Sequence, residues 1–144
     1  MVAKIREELG IKGMGIPKAM LLSNKNLMYE KINNRISYPK IIQLSNNCSF
    51  SSCKKLLNSS EIFIKPTNMT GSYKKYHVKS EMDFHFFLTN KLLELQNYIA
   101  QPYINADLYH SELVVFNGEI LFISARKYPI PNHLMIIRNK PTHI

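Results

Sequence analysis

Two lysines stand where fixed positive charge is useful. Lys65 closes the apolar run Ile62-Phe63-Ile64-Lys65 and is followed by Pro66, then by a polar loop holding Asn68, Thr70, Gly71 and Ser72. A phosphate chain needs an immobilised ammonium group and a turn whose backbone N–H groups can face inward. Glycine serves wherever that backbone must come close or take positive φ. Lys25 lies in the first turn of a helix expected to open at Ser23, where the N-terminal dipole favours an anion alongside. Each is an ordinary lysine alone. What joins them is their order: helix-start Lys, strand, helix, strand-Lys-Pro, Gly-Ser loop, strand, helix, connector, hairpin.

Other chemistries find little support. Cys48 and Cys53 form a C-x4-C spacing with no second pair, whereas a zinc site wants four ligands, so two reduced thiols are expected. No Gly-x-Ser-x-Gly elbow, His-Glu-x-x-His helix or Gly-Lys-Ser/Thr phosphate loop occurs. Tyr73, Tyr76, Phe84, Phe86 and Phe87 offer rings for stacking, but the helical spacing of the phenylalanines assigns them to a core.

The elements that must carry the lysines read as an α+β alternation. Helices are expected at Val2–Leu9 and Asn24–Ile32, a strand at 41–44, and a short helix at Lys54–Asn58. Glu61–Lys65 and Tyr73–Val78 read as a hairpin pair. Ser80 with Asp83 is a capping box that opens a Phe-rich helix. Tyr98–Ile104 is extended, and Leu108–Phe116 and Glu119–Arg126 are strands joined by Asn117-Gly118, a preferred two-residue turn. The expected organisation is a single domain of two α+β lobes, 18–97 and 98–144.

With these residues in place the chain resembles the ATP-grasp family of carboxylate–amine ligases. The matching pieces are Ser23–Met28, Ile62–Pro66, Gly71-Ser72, Ala100–Ile104, Tyr109–Val115 and Asn117–Ile120, spread over most of residues 10–130. The resemblance implies two lobes clamping ATP, with Lys25 and Lys65 on its phosphates and the loop ending in Gly71 and Ser72 folded over them. It implies adenine against the connector, read by the Gln101 side chain and by backbone groups of Pro102, Tyr103 and Ile104. Asp107 stands beside the position expected to reach ribose, where Leu108 occupies the usual carboxylate place. His110, in Tyr109-His110-Ser111-Glu112, resembles a Tyr-His-x-Asp stretch of amino-acid-ligase-like members. Family enzymes hold magnesium through a late Glu and a Glu-x-Asn pair. Here no Asp or Glu follows Glu119, so the magnesium ligands are expected to be absent and the domain incomplete at both ends.

The composition fits this picture. The chain has 144 residues, 45% hydrophobic and 20% charged, which suits one folded domain. Its net charge of +9 is uneven, with eleven Lys/Arg against four acids in residues 1–72 and eight against six in 73–144. An anionic partner is implied, but no basic block of a nucleic-acid tail appears. With no apolar run of membrane length and no signal core, a cytoplasmic protein without membrane contact is expected. The resulting expectation is the ATP-binding portion of a ligase that joins a small carboxylate to an amine, inactive alone. The alternative is a degenerate ATP-grasp module that recognises an anionic partner.

Overall fold

The computed structural model describes residues 2–32, 35–69, 74–130 and 134. Two compact units divide the chain, Met1–Tyr103 and Ile104–Ile144. The division falls after Tyr103 rather than at residues 97–98, because the segment from Tyr98 is built into the sheet of the first unit.

The first unit opens with helix α1 (Val2–Glu8), which buries no residue. Helix α2 (Ile16–Ser23) is not anticipated from the sequence. Extended Gly15 precedes it, and Pro17 sits in its first turn, where a missing N–H costs nothing. Ser23 therefore ends a helix instead of starting one. Helix α3 (Lys25–Ile32) is capped by Asn24, whose Oδ1 accepts from Asn26 N at 2.9 Å and Leu27 N at 3.2 Å.

Strand β1 (Ile42–Gln43) precedes helix α4 (Phe50–Leu57). The helix starts earlier than the expected Lys54 because Ser49 and Ser52 form a reciprocal capping box. It stops at Asn58, which turns the chain in the left-handed region.

Strands β2 (Ile62–Pro66) and β3 (Tyr76–Val78) pair antiparallel. The second is shorter than the expected 73–78, since Lys74 has φ 55 and cannot continue an extended strand. Ser80 and Asp83 cap helix α5 (Glu81–Lys91) as the sequence indicates, and a 3-10 turn over Leu92–Asn97 leads into strand β4 (Tyr98–Pro102). The sheet runs β1-β4-β2-β3, every neighbour antiparallel.

Alternation along β2 sorts the sheet into two faces. Ile62 and Ile64 are fully buried and pack with Val78, Tyr98 and Ala100 against Phe50, Cys53 and Leu57 of α4 and Phe84 and Phe87 of α5. Each such aliphatic side chain stabilises the fold by about 1.5–3 kcal/mol. Phe86, grouped with the other two phenylalanines from the sequence, points outward instead. Phe63 and Lys65 face the opposite way, away from α4 and α5.

The second unit is a ribbon of strands β5 (Tyr109–Phe116) and β6 (Glu119–Lys127), with a bulge between Val114 and Val115. Asn117 (φ 51) and Gly118 (φ 88) both take positive φ, as a type I′ turn requires. Val114, Phe116, Ile120 and Phe122 are among its exposed apolar residues. A lone two-stranded ribbon is marginal in water. Among the described residues, no helix is long and apolar enough to cross a membrane.

Candidate functional site

The sheet face turned away from α4 and α5 collects polar residues around a fully buried Ile99. Cross-strand partners share a face, and Phe63 is opposite both His77 and Gln101, while Ile99 is opposite both Lys65 and Gln43. Sequence alternation therefore places Gln43, Phe63, Lys65, His77, Ile99 and Gln101 together.

Lys65 is half-buried on this face. Its Nζ lies 3.5 Å from the Tyr29 hydroxyl and 5.7 Å from the Tyr29 ring centre, a cation–π contact with α3. Burial first, then the charges of Lys25 and Lys75, pull its ammonium from 10.5 down to about 8. Lys25 and Lys75 are lowered as well, both chiefly by burial, and Lys25 further by Lys75. Three ammonium groups thus repel one another over a partly desolvated patch. Among the described residues, no carboxylate lies within ion-pair distance of any of them.

Lys25 takes a different task from the one its helix-start position suggests. Its Nζ donates to the carbonyl oxygens of Pro66 (2.9 Å), Thr67 (3.3 Å) and Met69 (2.7 Å). Its backbone N also donates to Thr67 O at 3.0 Å. Thr67, buried, is tied from the other side by its N and Oγ1, both donating to Asn97 O. Lys25 is therefore the post on which the loop after Pro66 is strung. Gly71 and Ser72, the expected phosphate-loop residues, lie outside the described residues.

At the connector, Gln101 has a buried Oε1 with no hydrogen-bond partner. An orphaned buried polar atom costs on the order of 1–3 kcal/mol. Pro102 has no N–H to offer. The Tyr103 N–H, expected to be open to a base edge, donates instead to Glu61 O at 3.0 Å, continuing the β2–β4 register past Ile62 and Pro102. The Tyr103 ring stacks on His77 at 3.5 Å between centres, and His77 Nε2 meets Glu61 Oε2 at 2.5 Å. Neither His77 nor Glu61 is evident from sequence, because only the strand register joins them.

Ile104, Asp107 and His110 belong to the second unit. Ile104 is exposed. Asp107 precedes β5 and pairs with Lys127 at 2.6 Å, so its carboxylate is already engaged. His110 is half-buried on β5, its ring 4.8 Å from that of Tyr128, with Nδ1 buried and unpartnered. The structure thus gathers Lys25, Lys65 and Gln101 in the first unit and joins Lys75 to them. Lys75 was missed because its link to Lys65 is through space, not through its own neighbours in sequence.

Among the described residues, no three His, Cys, Asp or Glu side chains converge on one point.

No protein-family model and no curated protein sequence matches the chain. Solved structures do. The D-alanine–D-alanine ligase of Coxiella burnetii superposes with a TM-score of 0.67 at 19% identity, over 83% of this chain and 37% of that one. D-alanyl-alanine synthetase A of Vibrio cholerae gives 0.66 at 19%, over 93% and 43%. The Bacillus anthracis D-alanine–D-alanine ligase gives 0.62 at 16%, over 96% and 53%. The chain spans about two fifths to half the length of these structures, and its α+β fold is of the ATP-grasp kind that they share.

Proposed function

We propose that this chain forms the nucleotide-binding part of an ATP-dependent carboxylate–amine ligase. The observation that carries the reading is the lysine cluster: Lys65, Lys25 and Lys75 hold positive charge in a half-buried patch with no carboxylate among the described residues to answer it. A phosphate chain is the anion that the fold class would bring there. Likeness to ligases acting on D-alanine supports a small amino acid as the kind of carboxylate and amine involved. In the intact enzyme a carboxylate oxygen would attack the γ-phosphorus of ATP, breaking its bond to the β–γ bridging oxygen and releasing ADP. The acyl phosphate would then lose phosphate to an incoming amine, which gives up a proton as the amide forms. Such chemistry asks the protein chiefly for placement and charge neutralisation.

Within this reading Lys65 binds phosphate oxygens directly. Lys25 acts through the loop it anchors, with Gly71 and Ser72 supplying the cover. Gln101 Oε1 accepts from an adenine amino group and so satisfies its buried oxygen. Asp107, His110 and Ile104 lie in the second unit, where the Asp107 carboxylate is engaged by Lys127.

Thermal unfolding with and without ATP tests this. A ligand at about a hundred times its Kd stabilises by roughly 2.7 kcal/mol. The native chain is expected to gain several degrees, and Lys65→Ala to gain almost none. A native midpoint unmoved by saturating ATP contradicts the reading. One observation favours a second reading, a module that recognises an anionic partner without turnover: Lys25 spends its ammonium on backbone carbonyls.

A further inference from the structure

The start of α4 brings two sulfur atoms together. After β1 the chain turns, the Cys48 N–H donating to Ser45 O at 3.0 Å, and the Ser45 hydroxyl lies 3.6 Å from Cys48 Sγ. Ser49 caps the helix, so Cys48 stands just before the cap and Cys53 is the fourth helical residue after it. Side chains at these two positions fold over the first turn onto each other, the place where two apolar residues staple a helix start. Here both are free thiols. Cys53 is fully buried in the core, and half-buried Cys48 packs against the same cluster. The two side chains are hydrogen-bonded to each other.

We propose that Cys48 and Cys53 are a reversible oxidation site, which a small disulfide such as oxidised glutathione closes into an intrachain disulfide across the first turn of α4. The two thiols divide the work by exposure. Cys48 Sγ, the one that solvent reaches, gives up its proton and attacks the small disulfide. One small thiol leaves with that proton, and a mixed disulfide remains on Cys48. Cys53 Sγ, already in contact, then bonds to the Cys48 sulfur and expels the second small thiol, which carries off the Cys53 proton. Two cysteine thiols are oxidised and one small disulfide is reduced to two thiols, with no further reactant. Burial first, then Cys48, pushes the Cys53 thiol up to about 12, so Cys53 ignores an outside oxidant and acts only on the sulfur beside it. Helix α4 packs on β1, β2 and β4, so the closed pair tightens the core that backs the sheet.

The test equilibrates the native chain with set ratios of reduced to oxidised glutathione, once folded and once in concentrated urea. Free thiols are then blocked with N-ethylmaleimide, and intact mass and peptide maps are read. The folded chain is expected to form the Cys48–Cys53 disulfide, reversed by excess reductant, with an equilibrium constant about tenfold above that in urea, because the fold presets the contact. The oxidised chain is expected to melt several degrees above the reduced one, as the same cycle requires. Cys48→Ser is expected to leave Cys53 unreacted in the folded chain, and Cys53→Ala to stop at the mixed disulfide on Cys48. An equilibrium constant no higher in the folded chain than in urea overturns the proposal, as does a lower melting midpoint on oxidation. Accumulation of the mixed disulfide on native Cys48 without closure overturns it too. Should Cys53→Ala not fold, the native chain and Cys48→Ser decide, and a Cys53 that reacts in folded Cys48→Ser overturns the proposal.

Discussion

Replacing Lys65 by Met keeps the stem that packs on Tyr29 and removes the ammonium. In the folded protein that ammonium titrates at about 8, against 10.5 for an ordinary lysine, with burial the largest cause and Lys25 and Lys75 next. The folded value is depressed, so between these two pH values the unfolded chain keeps a proton that the folded chain has released. Stability therefore rises with pH across that window. From about pH 7 to about pH 9.5 the contribution amounts to about 2 kcal/mol as an upper bound, or roughly 4–8 °C in midpoint for a chain of this size. Lys25 and Lys75 are lowered too and push the same way. The buried Cys53 thiol, pushed up to about 12, opposes them from about pH 9, and Tyr29, raised by burial, above about pH 10; both effects are common to the native chain and Lys65→Met and cancel in the comparison. The measurement is urea or thermal unfolding of the native chain and Lys65→Met at matched pH values. The native chain should gain on the variant as pH rises from 7 to 9.5. Parallel profiles, or a native chain that loses ground, would refute the buried-lysine argument. A corollary concerns the ligand: tripolyphosphate restores the Lys65 charge, so binding near pH 8 should take up protons and weaken above it.

Other consequences are simpler to check. Asn24→Ala removes the side-chain cap of α3 and is expected to cost about 1 kcal/mol in denaturant unfolding. Asn24→Asp, which keeps an acceptor, should be close to neutral. Lys25→Met cuts the loop carbonyls of Pro66, Thr67 and Met69 from their common donor. Hydrogen exchange at residues 67–69 should then accelerate while exchange in α4 stays unchanged. Gly118→Val places a β-branched residue at φ 88 and should destabilise the β5–β6 turn, read as lost dispersion in its amide resonances.

The parts of the fold legible in the sequence are those written in a few adjacent residues. Lys65-Pro66 closing an apolar strand, the Ser80–Asp83 cap and the Asn117-Gly118 turn each depend on neighbours alone, and all three are in place. Helix α2 was hidden because Gly15 and Pro17 read as breakers, although a proline in a first turn starts a helix as readily as it ends one. The early start of α4 was masked by a Ser/Asn-rich run in which two serines cap each other. The site was half legible. Lys25 and Lys65 stand out by type and order, but the carbonyls that occupy Lys25 come from more than forty residues away. The Glu61–His77–Tyr103 stack exists only through strand register, which single residues do not announce.

The central claim is that the sheet face of the first unit turned away from α4 and α5 receives a phosphate chain on Lys65. It is tested most directly by titrating ATP, tripolyphosphate and adenosine into the native chain and into Lys65→Met at about pH 7. The account predicts that ATP and tripolyphosphate bind the native chain, that both are lost together in Lys65→Met, and that adenosine alone binds far more weakly than either. Undiminished ATP binding by Lys65→Met, or equal affinity of the native chain for ATP and adenosine, would contradict it.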